Sequence, residues 1–261
     1  MQFRAGVAQV NIQSEPPQKI ADMPLRHRLS FGQLSLGLLK SLRENEMHAV
    51  ITGGTGMVGG SVLRQLLATP QITRVTSISR RSTGLSHEKL TEVLDADLSD
   101  PASLAPHMVD ADHLFHCIAT YAHTVDRDTY ETVTVTYLQN VLKALESVSP
   151  SAHVCLFSAS GAAPKGKSWY KALNTKGRAE NALWATSFPK KIAFRPSMII
   201  PTRPENHKGF GDTLGKLAFR LLPFIGTTSD KLAEVVTRAA LSNTPDGTIL
   251  GPADIARLAK E

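Results

Sequence analysis

Cysteine is nearly missing from this chain. Only Cys117 and Cys155 occur among 261 residues. Both stand in apolar, strand-like runs and read as buried thiols in a reducing compartment, not as a disulfide. Metal-ligand clusters are missing too: the nine histidines are scattered and no His/Cys group has ligand spacing, so no metal centre is expected. No apolar run approaches the ~20 residues of a membrane-spanning helix, and the N-terminal region lacks the apolar core of a secretory signal. No Lys/Arg run interleaves with aromatics. The net charge of +6 therefore reads as a basic solvated surface, one that also suits a phosphorylated cofactor, and nucleic-acid binding is not expected. Internal repeats and low-complexity tracts are absent. What is present is apolar material, 42% of residues, enough for one large α/β domain with a sizeable core.

The most informative stretch runs from Thr52 through Gly53, Thr55, Gly56, Met57 and Val58 to Gly59 and Gly60. The apolar run His48–Ile51 precedes it, and Ser61–Leu67, with helical periodicity, follows. Strand, glycine turn and helix form the context of a dinucleotide-binding loop. Gly53 suits the tight turn, Gly56 lets backbone approach a pyrophosphate, and Gly59 lets the helix pack close to the strand. The helix start then offers free N–H groups and a positive dipole end to phosphates.

Strand and helix signals alternate beyond the loop. Strands are expected at 74–79, 90–96, 112–118, 153–157, 191–194 and 248–250. Helices are expected at 126–148, with Val133, Tyr137, Val141, Leu142 and Leu145 on one face, and at 168–185, 230–241 and 252–260. Short apolar strands separated by helices imply a doubly wound parallel sheet, a Rossmann fold, with right-handed crossovers. This domain is expected over residues 47–261, with a small C-terminal substrate-binding region mainly in 197–261. Residues 1–46 form an extension of different character, with Pro16, Pro17, Pro24 and a candidate amphipathic helix at Leu34–Leu42. It reads as a targeting peptide, a docking segment, or the product of a start upstream of Met47. Glu15 and Asp22 argue against a transit peptide. A cytoplasmic location is expected, with a mitochondrial alternative.

Strand C-termini converge on the ligand crevice of such a sheet. After strand two, where an acid would bind a ribose 2′-OH, stand Arg80 and Arg81. Guanidinium forks match phosphate oxygens, so NADP(H) is favoured over NAD(H). Asp97 and Leu98 end strand three beside the expected adenine. Cys117, Ile118, Ala119 and Thr120 end strand four beside the ribose and nicotinamide.

These residues, with Phe157–Ser160, Lys176–Glu180 and the pair Arg195-Pro196, resemble an extended or atypical short-chain dehydrogenase/reductase. The likeness is to its Tat-interacting-protein-like and fungal mitochondrial members, and it runs from about Met47 to Leu241. The resemblance implies an NAD(P)-binding fold and a reductase site. In it Ser160 bonds the substrate oxygen, Lys176 binds the nicotinamide ribose, and a tyrosine four residues before the lysine donates the proton. Arg195 and Pro196 flank the cofactor. The chemistry is sound: hydride addition to a carbonyl leaves an alkoxide, and a tyrosine near its ordinary pKa of about 10 needs a neighbouring cation to protonate it.

This chain departs from that pattern. Ala172, not tyrosine, stands four residues before Lys176, and Tyr170 stands six before it. Six residues on a helix turn through about 600°, leaving the two side chains roughly 120° apart. Tyr170 reaches the site only if the helix starts late, near Lys171. Tyr121 and Tyr130 are the alternative donors, and absence of tyrosine chemistry is a third reading.

The C-terminal third reads as a flap through Pro201, Pro204, Gly209 and Gly211 with a lid helix at Leu214–Leu222. Phe210, Leu214, Leu217 and Phe224 favour an apolar or aromatic substrate, or else belong to the core. The expected function is an NADP(H)-dependent reductase of a small, apolar carbonyl or enone compound, acting through Ser160, Tyr170 and Lys176. The competing class is a non-redox protein of the same fold: an isomerase, a cyclase or a dinucleotide-binding regulator. A homodimer is compatible with either.

Overall fold

The computed structural model describes residues 46–203 and 226–261. The expected helices at Leu34–Leu42 and Leu214–Leu222 lie outside them, as do Phe210, Leu217 and Phe224. Nine strands and seven α-helices are found among the described residues. They are β1 (Met47–Thr52), α1 (Met57–Ala68), β2 (Ile72–Ile78), β3 (Leu90–Val93), α2 (Pro101–Leu104), β4 (His113–His116), α3 (Arg127–Glu131), α4 (Tyr137–Val148), β5 (His153–Phe157), α5 (Lys171–Trp184), β6 (Lys190–Phe194), β7 (Met198–Ile200), β8 (Gly226–Thr228), α6 (Ser229–Leu241), β9 (Thr248–Leu250) and α7 (Pro252–Leu258).

Seven strands form one sheet in the order β3-β2-β1-β4-β5-β6-β9, and every neighbouring pair is parallel. The expected doubly wound α/β fold is therefore present. Side chains alternate across the sheet with the period of two that a pleated strand imposes. Ala49 and Ile51 of β1, Phe115 of β4 and Cys155 of β5 enter one core with α1 and α6. Val50, Leu114 and Val154 enter the other with α4 and α5. Both faces are covered, which is why the strands read as continuous apolar runs.

Two departures from the sequence reading have local causes. The helix expected over 126–148 is broken by a π-helical turn at Thr132–Thr136, a run of β-branched residues that crowds an α-helix. The turn shifts the helix register. Thr134, Val135 and Leu138 are buried in place of Val133 and Tyr137, while Val141, Leu142 and Leu145 face the core as expected. The segment from Met198 to Ile200 pairs with Gly226–Thr228 in a separate two-stranded parallel sheet. Of the three-residue strands only Thr248–Leu250 was expected, because so short a run carries little periodicity.

Candidate active site at the strand C-termini

Each glycine of the loop has a steric reason. Gly53 takes φ +81, a left-handed conformation, and a Cβ there would lie 2.9 Å from the Cys117 carbonyl carbon and the Ile118 nitrogen. A Cβ on Gly59 would sit 2.1 Å from the Gly53 carbonyl oxygen, so only glycine lets α1 settle onto the turn. A Cβ on Gly56 would meet that oxygen at 3.3 Å. Gly56 is the N-cap of α1, no side chain caps that end, and no acid stands in the first turn. The amides of the first turn and the positive end of the helix dipole therefore face the crevice.

Beside the loop is a cavity of about 250 Å³. Its walls are Gly54, Thr55 and Gly56 of the loop together with the side chains of Arg64, Arg81 and Arg203. Arg80 is exposed outside it. Arg203 reaches back from beyond β7: its guanidinium donates to the Gly60 carbonyl at 3.3 Å and to the Ser61 hydroxyl at 2.5 Å. The Ser61 hydroxyl donates to Asp230 at the start of α6 at 2.7 Å, and Arg203 lies 3.8 Å from the same carboxylate. Burial pushes the Asp230 carboxyl up. The Ser61 and Thr202 bonds and the charges of Arg203 and Arg64 outweigh that and hold it below its ordinary value.

Asp97 is exposed, and its carboxylate accepts from the Ser99 amide at 2.8 Å and the Ser99 hydroxyl at 2.6 Å; these bonds hold its pKa low. Asn140 fixes the turn by donating to the Leu98 carbonyl at 3.1 Å. Cys117 donates its amide to the Thr52 carbonyl at 2.9 Å. Burial pushes its thiol well up, which makes it a packing residue and not a nucleophile. Ile118 borders Gly53, and Ala119 is exposed.

At the end of β5, Ser160 is exposed, and its amide donates to the Pro196 carbonyl at 3.0 Å. Lys176 is only 9% exposed. Burial lowers its pKa to about 8, against the charge of Glu180, which raises it. His116 lies close by, wholly buried. Thr52 Oγ1 and His116 Nδ1 share a 2.9 Å hydrogen bond. Burial first, and the Lys176 charge second, push the imidazole down to about 3, so it is neutral. The Arg195 guanidinium is bound to Glu180, through Nε at 2.8 Å and the second nitrogen at 2.5 Å.

Tyr170 is the N-cap of α5, with extended backbone angles, φ −85 and ψ 102. The late helix start that would bring Tyr170 into play is therefore what the chain adopts. Asn174 enforces it: its side-chain carbonyl accepts from the Ser168 amide and its amide donates to the Ser168 carbonyl, each at 2.9 Å. Close packing enforces it too, because a Cβ on Gly177 would come within 2.2 Å of the Ala163 carbonyl carbon. Tyr170 and Ala172 both line a second cavity, of about 650 Å³, between the loop after β4 and the start of α5. Lys176 is not in that wall. Tyr130, 8% exposed, borders the cavity beside Tyr170, and burial raises its hydroxyl pKa. Tyr121 is 64% exposed on the loop after β4.

Residues 49–182, about half of the chain, match the family described as the NAD dependent epimerase/dehydratase family. The chain belongs to that family. It is 31% identical over 179 residues to "Protein FMP52, mitochondrial" of Candida glabrata, a match spanning 65% of this chain and 71% of that protein. Among solved structures it is similar to the Bordetella bronchiseptica enzyme WbmF in complex with NAD+, with TM-score 0.61 and 13% identity over 84% of this chain and 78% of that one. It is also similar to an oxidoreductase of the short-chain dehydrogenase/reductase family from Burkholderia thailandensis, with TM-score 0.59 and 15% identity over 81% and 93%. At those identities the structures show a shared fold. The resemblance read from the sequence is borne out at the level of family and fold.

Several residues of this epimerase/dehydratase family member escaped sequence reading. Arg64 had a signal: it is the only charged residue of α1. Gly54 packs against Ser77, whose hydroxyl would lie 2.7 Å from a Cβ there. Arg203 and His116 carried no local signal, because each acquires its neighbours through the topology. Among the described residues no cluster of His, Cys, Asp or Glu has the makings of a metal site, and no helix is long and apolar enough to cross a membrane.

Proposed function

We propose that this protein is an NADP(H)-dependent oxidoreductase of the short-chain dehydrogenase/reductase kind, reducing a small carbonyl or enone compound. The observation that supports it most is the junction of the glycine cradle, whose Gly59 has no room for a Cβ, with the arginine-walled cavity beside it. The cradle fits a pyrophosphate: bare backbone and an uncapped helix start suit a dianion. Arg81, Arg64 and Arg203 would hold a ribose 2′-phosphate, for which a guanidinium fork is shaped. The WbmF structure, which holds NAD+, supports a nicotinamide dinucleotide, and the arginines support its phosphorylated form.

The bound cofactor would supply hydride to the carbonyl carbon. The C=O π pair then becomes an alkoxide lone pair, and the Tyr170 hydroxyl gives it a proton. Ser160 would donate a hydrogen bond to the same oxygen, and the Lys176 ammonium would bind the nicotinamide ribose. Titration of NADPH fluorescence, then NADPH consumption over a carbonyl panel with wild type, Tyr170→Phe and Lys176→Ala, tests the reading. Losing a positioned general acid costs about 10²–10⁴ in rate. Full activity in Tyr170→Phe removes Tyr170 from the role.

Two observations favour a second reading: Ala172 occupies the usual donor position, and Lys176 lies outside the cavity that Tyr170 lines. A non-redox isomerase, cyclase or dinucleotide-binding regulator accounts for both. NADPH binding without turnover, checked by product analysis, would select it. The names of the fungal relatives support a mitochondrial location over a cytoplasmic one. Fluorescent fusions with and without residues 1–46 test that.

A further inference from the structure

We infer that the 650 Å³ cavity beside Tyr170 takes a planar, anionic ligand, an aromatic or conjugated carboxylic acid, as the substrate class of the proposed reductase; the assignment of substrate, though not of binding, rests on that reading. Three aromatic side chains line it: Tyr130, Trp169 and Tyr170. Trp169 is 93% exposed, an unusual state for the largest apolar side chain, and its ring centroid lies 6.0 Å from that of Tyr170. Together they offer faces to a flat molecule.

The charge of the walls has one sign. Arg127, Lys171 and Arg178 line the cavity and no Asp or Glu does. Two acids beside the wall, Glu131 and Asp126, are already engaged. Glu131 is bound by Arg178 and accepts from the Thr175 hydroxyl. Asp126 caps α3 by accepting from the Thr129 amide at 2.8 Å and the Thr129 hydroxyl at 2.7 Å. Among the described residues no carboxylate pairs with Arg127 or Lys171. Two cations are thus left at the rim of an aromatic-walled cavity. The ring faces take the apolar body of a ligand, and Arg127 and Lys171 take its carboxylate through charge-assisted hydrogen bonds.

Calorimetric titration of the full-length protein with 2-naphthoate, and with the isosteric neutral 2-naphthamide, tests this. Naphthoate should bind roughly tenfold more tightly, the margin expected of one or two charge-assisted bonds, and added salt should narrow the gap. Arg127→Gln with Lys171→Gln should remove the preference and leave naphthamide unchanged. Trp169→Ala should weaken both ligands. All three residues are exposed, so the variants should fold, which thermal melting verifies. Equal affinity for the two ligands, no binding of either, or a preference unmoved by the double variant each overturns the inference. No turnover enters the measurement. Naphthoate binding with no reductase activity would count against the reductase alone, and reductase activity without naphthoate binding would count against this inference alone.

Discussion

The Glu180 carboxylate, with no exposed surface, is gripped by two nitrogens of the Arg195 guanidinium. The pair ties the end of β6 to the middle of α5, one helical turn from Lys176. Removing one partner of a buried pair strands the other charge. Arg195→Met should therefore cost about 3–5 kcal/mol in urea denaturation, and adding Glu180→Gln should recover part of it. A single-variant cost below about 1 kcal/mol would show that the pair is not a structural tie.

Gly59 faces a carbonyl that a Cβ would meet at 2.1 Å. Gly59→Ala should force α1 off the turn, cost at least about 1–3 kcal/mol, and abolish NADPH binding. Thermal melting and fluorescence titration read the two effects. Unchanged binding would mean that the helix start does not hold the phosphates.

Arg81 lines the small cavity and Arg80 does not. Arg81→Ala should weaken NADPH by about 10- to 100-fold, the worth of a charge-assisted bond, and leave NADH unchanged. Arg80→Ala should do little. Equal affinity of the wild type for NADPH and NADH would defeat the preference altogether.

Lys176 gives a pH signature. Its pKa is lowered from 10.5 to about 8 in the fold, so between those values the unfolded chain binds more protons than the native one. Stability then rises with pH across that window, and the burial cost is fully present below it. From about pH 8 to about pH 10, the unfolding free energy of wild type should rise by roughly 2 kcal/mol relative to Lys176→Met. A flat or falling difference would show that Lys176 is not buried as a cation.

The turn from β1 into α1 was legible in the residues themselves, because glycine spacing and apolar period are local consequences of backbone geometry. The alternation of strands and helices was legible for the same reason. The Ala172 gap before Lys176 was also plain in the sequence, but its consequence was not. Whether Tyr170 lies on the helix or before it turns on Asn174 bonding back to Ser168 and on Gly177 packing against Ala163, contacts that no periodicity encodes. The same holds for Arg203, which meets Gly60 and Ser61 across more than a hundred residues of chain, and for His116 beside Lys176. The sequence alone determined the bare glycine turn between β1 and α1, since glycine acts where it stands. Only the tertiary structure decided which side chains share a cavity and which charges lose their water, because burial and long-range pairing are properties of the packed chain.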